Sequence, residues 1–138
     1  MKQKGRVFTA LILAVTVLAA FTIAYAANKA PDKDIVIESK DVFTKPKKTP
    51  VTFSHEKHKA AKCTDCHHEF KDGKNVWQEG QEVKKCSTCH KLKADGKVIK
   101  LEAAYHEKCG GCHKKMKEEK KPSGPQKAQC AKCHPKAK

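Results

Sequence analysis

The chain has 138 residues, a third of them charged, so it has room for one small domain but not for a large apolar core. Lys and Arg outnumber Asp and Glu by 30 to 15, a formal charge of +15. Such a balance suits nucleic acid or an acidic protein partner. Eight cysteines in so short a chain point to disulfides, metal sites or an attached cofactor.

Lys2, Lys4 and Arg6 precede an apolar run from Val7 to about Ile23 and then Ala24-Tyr25-Ala26. This is the order of a secretory signal peptide, 1–26, with a small-x-small cleavage site. We expect cleavage after Ala26. A retained anchor is the alternative, because roughly 17–25 apolar residues span a bilayer. No cysteine lies near Ala26, which excludes a lipid-modified N-terminus. Export, together with the lack of a helix-turn-helix or RNP-type pattern, argues against nucleic acid and for an acidic protein partner.

Residues 27–50 read as an N-terminal extension, polar and rich in Lys and Pro, with a short strand at Ile35-Val36-Ile37. Val51-Thr52-Phe53 is a second β-like run, so the two predict a small N-terminal ribbon. Residues 51–138 form the main domain. Asp72-Gly73, Asp95-Gly96 and Ser123-Gly124-Pro125 mark turns. Leu101–Cys109 predicts a helix, and Lys114–Lys121 a charged helix stopped by Pro122. Beyond the export segment the large apolar residues are few: Phe43, Phe53, Phe70, Val76, Trp77, Val83, Leu92, Val98, Ile99, Leu101 and Tyr105 are the main ones.

All eight cysteines fall in four strings: Cys63-Thr-Asp-Cys66-His67, Cys86-Ser-Thr-Cys89-His90, Cys109-Gly-Gly-Cys112-His113 and Cys130-Ala-Lys-Cys133-His134. Each is C-x-x-C-H, the attachment motif for c-type haem. Two thiols add to the two vinyl groups of one haem, so they must share a short turn. The following His reaches the iron as its fifth ligand. A disulfide framework and a pair of zinc knuckles also use such cysteines, but neither explains a His at the next position every time. Four covalently bound haem c groups are the expected cofactors, and their attachment outside the cytoplasm agrees with export.

Eight histidines are present. His67, His90, His113 and His134 are the motif ligands. His55, His58, His68 and His106 remain, one for the sixth position of each iron. Met116 is the one methionine besides the initiator, so at least three haems cannot be His/Met. His67 and His68 are neighbours, with Cα atoms about 3.8 Å apart, and cannot approach one iron from opposite faces. His68, as a ligand, serves a different haem from His67, which sets two irons on the order of 12–15 Å apart. His55 and His58, three apart, face similar directions on a helix.

Phe53-Ser-His55-Glu-Lys-His58 followed by Cys63-Thr-Asp-Cys66-His67-His68 resembles the opening of the class III tetrahaem cytochromes c, the small cytochromes c-three of sulfate- and metal-reducing bacteria. The resemblance continues through Leu101–His113 and Lys120–His134. It implies a small, mostly irregular and α-helical multihaem cytochrome fold organised around four haems, with a short N-terminal β-ribbon. It also implies that His55 completes the first haem (Cys63, Cys66, His67) and His68 the second (Cys86, Cys89, His90). His58 then completes the third (Cys109, Cys112, His113), and His106 the fourth (Cys130, Cys133, His134). Phe53 matches an aromatic that packs between haems in the family; ordinary strand core is the other reading. Many members carry four residues between the cysteines of the second and fourth motifs, where this chain has two, which leaves the loop geometry there open.

Bis-His iron lacks the thioether that raises potential and leaves no position for substrate. The expected function is therefore a low-potential electron carrier with no catalytic residues; export makes it periplasmic, and the resemblance implies anaerobic, sulfate respiration. The resemblance implies a hydrogenase or formate dehydrogenase as donor and a membrane redox complex as acceptor. The mature chain is expected not to be membrane-embedded, and to be a monomer or weak dimer. Lys114, Lys115, Lys117, Lys120, Lys121, Lys127, Lys132, Lys136 and Lys138 crowd the fourth motif and suit an acidic partner. A multihaem reductase is the enzyme alternative, but no C-x-x-C-K motif for an open iron occurs. An anchored quinol-oxidase subunit is the alternative if residues 7–23 are retained.

Overall fold

The computed structural model describes residues 29–136; the expected signal peptide lies outside them. Among the described residues no helix is long and apolar enough to cross a membrane. Two compact units are present. One contains Cys63–Val83, the other Pro31–Lys62 together with the chain from Lys84 onward.

In the larger unit, β1 (Ile35–Ile37) and β2 (Val51–Phe53) pair antiparallel, with Ile35 opposite Phe53 and Ile37 opposite Val51. β-branched residues dominate both strands, and the period of two puts Ile35, Ile37, Val51 and Phe53 on the half-buried face. The expected ribbon is therefore present. After β2, Ser54 and His55 lead into a short 3-10 turn, Glu56–His58.

Three of the four motifs form one-turn helices that begin and end on cysteine. They are α1 (Cys63–Cys66), α2 (Cys86–Cys89) and α5 (Cys130–Cys133). The third lies inside a longer helical run: α3 (Leu101–Tyr105), a π-helical segment His106–Gly111, and α4 (Cys112–Glu118). Two separate helices were expected here. The run is instead unbroken through Gly110-Gly111, because Gly111 itself takes a helical conformation. Its end also comes earlier than Pro122. Lys121 N–H donates to the Met116 carbonyl at 2.9 Å, Lys120 N–H donates to that of Lys117 at 3.0 Å, and Lys120 has φ +57°. That pattern is a Schellman stop with Lys where glycine is favoured.

In the smaller unit, β3 (Phe70–Lys71) and β4 (Lys74–Asn75) form a hairpin. Its two-residue loop, Asp72 at φ +51° and Gly73 at φ +77°, has the left-handed geometry that matches strand twist. The Asn75 carboxamide oxygen accepts from the backbone N–H of Glu69 and of Trp77, at 3.0 and 3.1 Å. Trp77 is the buried apolar side chain of this unit, and its indole N–H donates to the Glu82 carbonyl at 3.1 Å. In the larger unit that place belongs to Leu101, fully enclosed; its N–H donates to the Lys91 carbonyl at 2.8 Å, just after α2. Ser39, also buried, shares a 3.0 Å hydrogen bond with the Tyr105 hydroxyl across 66 positions of sequence, tying the segment after β1 to α3.

Candidate functional site

Each one-turn helix carries its following His in register. The N–H groups of His67, His90 and His134 donate to the carbonyls of Cys63, Cys86 and Cys130 at 2.8, 2.9 and 2.8 Å. Both thiols and the imidazole of a motif thus spring from one turn, as attachment to a single ring requires. All eight cysteines are unbridged thiols, seven exposed and Cys133 half-buried, so no disulfide framework forms. Partial desolvation, and after it the neighbouring Glu79 carboxylate, push the Cys63 thiol above its ordinary range.

Imidazole tautomers follow from the carbonyls they meet. His90 Nδ1 lies 2.7 Å from the Ile99 oxygen, His113 Nδ1 2.7 Å from that of Pro125, and His134 Nδ1 2.6 Å from that of Thr49. His58 Nδ1 lies 2.8 Å from the Ser54 oxygen. A carbonyl can only accept, so Nδ1 carries the proton and Nε2 holds the lone pair. This is the arrangement that prepares a histidine to bind a metal through Nε2. His106 Nδ1 faces Glu102, 3.9 Å from its carboxylate. The Lys100 ammonium, hydrogen-bonded to Glu102, is the main reason that carboxyl lies below its usual range.

Two histidine pairs are brought together across space, one nearly parallel and one edge-on. His58 and His113 have ring centroids 6.1 Å apart, and His106 and His134 6.5 Å. Two imidazoles bonded at about 2 Å to one metal from opposite sides would have centroids roughly 6 Å apart. Such pairs fit a ring-held iron, which needs only two protein ligands. Zinc knuckles need a tetrahedral donor set, and no cluster of three or more His, Cys, Asp or Glu side chains suited to a metal ion occurs among the described residues.

Aromatic neighbours set the remaining rings. Phe53 meets His55 edge-on at 4.8 Å and stacks on His58 at 4.5 Å, so the 3-10 turn presents both histidines to one phenyl group. His67 lies 5.2 Å from the Trp77 ring, and its neighbour His68 the same distance from Phe70. Adjacent in sequence, they have different aromatic partners. The carbonyls of Ser54, Thr49, Ile99 and Pro125 were not singled out from sequence. Every residue has such a group, so no residue type marks them.

Four thiol pairs, three of them on one-turn helices and one within a longer helical run, with three of the four following histidines held through Nδ1, define a covalent multihaem protein. The model of the class III cytochrome c family matches residues 31–134, three-quarters of the chain, and the chain belongs to that family. It therefore binds four c-type haems, and its activity is electron transfer. The fold is similar to that of the di-tetraheme cytochrome c3 from Desulfovibrio gigas, at 26% identity and a TM-score of 0.54 over 78% of this chain and 98% of that one. Similarity extends to the sixteen heme cytochrome of the same organism, at 32% identity and a TM-score of 0.47, covering 78% of this chain and 20% of the other. The high-molecular weight cytochrome c of Desulfovibrio vulgaris (Miyazaki F), in the presence of zinc ion, is similar at 24% identity and a TM-score of 0.49, over 81% and 22%. The chain thus spans about a fifth of each of these two larger proteins. No curated protein matches it.

Proposed function

We propose that this chain is a periplasmic, low-potential electron carrier whose four haems are all bis-His ligated, passing electrons from a hydrogenase or similar dehydrogenase to a membrane redox complex in anaerobic respiration. The observation that carries the reading is the pair of facing histidine couples, 6.1 and 6.5 Å between ring centroids, most of their rings with Nδ1 engaged by a backbone carbonyl. Haem iron, when bound, supplies a one-electron ferric/ferrous couple.

The protein's part is to hold and orient. Cys63 and Cys66, Cys86 and Cys89, Cys109 and Cys112, and Cys130 and Cys133 would each anchor one ring. His113 with His58 would ligate the third iron, and His134 with His106 the fourth. His67 with His55 and His90 with His68 complete the set on the family pattern. A filled set offers no coordination site to a substrate, which favours electron relay over bond-making. Whole-protein mass and a reduced-minus-oxidised spectrum test this together. The expected result is a chain starting at Ala27, four haem additions and wholly low-spin spectra. A high-spin haem would instead support a reductase, and a retained N-terminus an anchored subunit.

The docking surface proposed from the lysines near the fourth motif is partly self-neutralised. Lys114 lies 3.8 Å from Glu118, Lys115 4.0 Å from Glu119, and Lys121 2.7 Å from Glu119. Attraction then rests chiefly on exposed Lys117, Lys120, Lys127, Lys132 and Lys136. Reduction by an acidic donor should slow as salt rises, because a Debye length of about 8 Å at physiological strength screens such steering. A rate indifferent to salt would remove this surface from the proposal.

A further inference from the structure

The two facing histidine couples differ in the angle between their rings. His58 and His113 are 23° from parallel, whereas His106 and His134 stand at 89°. Rotation of an imidazole about its metal bond is set by the group that its second nitrogen engages. For His113 that group is the Pro125 carbonyl, 2.7 Å from Nδ1. The same turn also closes on the ring. A Cβ added at Gly124 would lie 2.5 Å from His113 Cε1, 2.9 Å from Nε2 and 3.0 Å from Nδ1. His58 is fixed by the Ser54 carbonyl and by Phe53 stacked on it at 30°. His134 takes its orientation from Thr49, a different segment.

We infer that Gly124 is a positioning residue, and that the Ser123-Gly124-Pro125 turn holds His113 nearly parallel to His58 at the third haem while the fourth takes nearly perpendicular imidazoles. The inference rests on the ligand pairing proposed above. Its reach comes from orbital overlap. Each imidazole π system would act on one of the two iron dπ orbitals, those whose lobes rise out of the porphyrin plane. Parallel imidazoles act on the same orbital and separate the two in energy. Perpendicular ones act on both and leave them nearly equal. The ligand geometry thus makes two haems of identical composition electronically distinct.

Against a side chain at position 124 the His113 ring has little freedom, since Nδ1 is tied to Pro125 and Nε2 is the proposed ligating atom. Gly124→Ala therefore either turns the ring or displaces the Pro125 carbonyl.

The test uses the oxidised holoprotein. Haem-methyl NMR signals are assigned to individual haems through contacts with the thioether bridges of Cys109–Cys112 and Cys130–Cys133. The expected result is a wide spread of methyl shifts at the first of these haems and a narrow one at the second. Electron paramagnetic resonance should show a rhombic low-spin signal and, separately, one with a single dominant low-field feature. Equal methyl spreads at the two haems overturn the inference. A missing contact between His58 and the Cys109–Cys112 haem overturns the pairing itself, and so is distinguished from failure of the orientation alone. In Gly124→Ala carrying four haems by mass, the methyl shifts of that one haem should rearrange while the other three hold. No rearrangement overturns the role of Gly124. If the variant does not mature, the comparison of the two haems in the unaltered protein decides.

Discussion

Ser39 and Tyr105 show how much one polar contact does in a chain with so little apolar packing. Ser39 is 7% exposed, and the Tyr105 hydroxyl, at 3.0 Å, is its side-chain hydrogen-bond partner. Tyr105→Phe leaves a buried hydroxyl unpaired, which costs about 1–3 kcal/mol. The variant should melt earlier, and adding Ser39→Ala should restore much of the loss. Burial of Tyr105 also raises its pKa above the ordinary phenol range. A raised folded-state value means stability that is present below about pH 10 and is lost as pH rises through the folded value. The unaltered protein should therefore lose stability in alkali more steeply than Tyr105→Phe, as followed by melting at graded pH. Neither partner is marked in the sequence, where Ser39 is one polar residue of an extension and Tyr105 one apolar residue of a helix.

At the scale of elements, the helical run from Leu101 to Glu118 serves two couples. His106 near its start faces His134, and His113 near its end faces His58. Residue pattern was enough to expect helix at both ends of this run, and β-branched triplets were enough to expect the ribbon. The π-helical join was not legible, because two consecutive glycines locally favour a break. The C-terminal stop offers a direct check. Lys120 occupies a left-handed position at φ +57°, and a non-glycine residue there costs about 1 kcal/mol. Lys120→Gly should raise the melting midpoint of the holoprotein by that much stability, read by thermal unfolding. An unchanged or lower midpoint would mean that Lys120 makes a compensating contact.

At the scale of the whole molecule, few of the apolar side chains among the described residues are enclosed. Trp77 and Leu101 are the buried large apolar residues among those described, while Phe70, Val36 and Leu92 are 66%, 61% and 59% exposed. A core of that size falls far short of the conformational entropy of ordering about a hundred residues, on the order of 1–2 kcal/mol each. Covalent haems must supply the apolar contact. Chain expressed without haem attachment should therefore be largely unfolded, with no cooperative melt by far-ultraviolet circular dichroism. A native-like transition would refute this.

The sequence by itself determined the chemistry. Thiol spacing, the His that follows each pair and an equal number of further histidines are local or countable properties, and they identified the cofactor, the family and the ligand candidates without coordinates. Tertiary structure decided orientation. Which rings face each other, and at what angle, depends on backbone carbonyls such as that of Thr49, 85 positions from His134, and on the close approach of Gly124 to His113. A carbonyl belongs to every residue and a close approach to no residue type, so neither leaves a mark in one dimension.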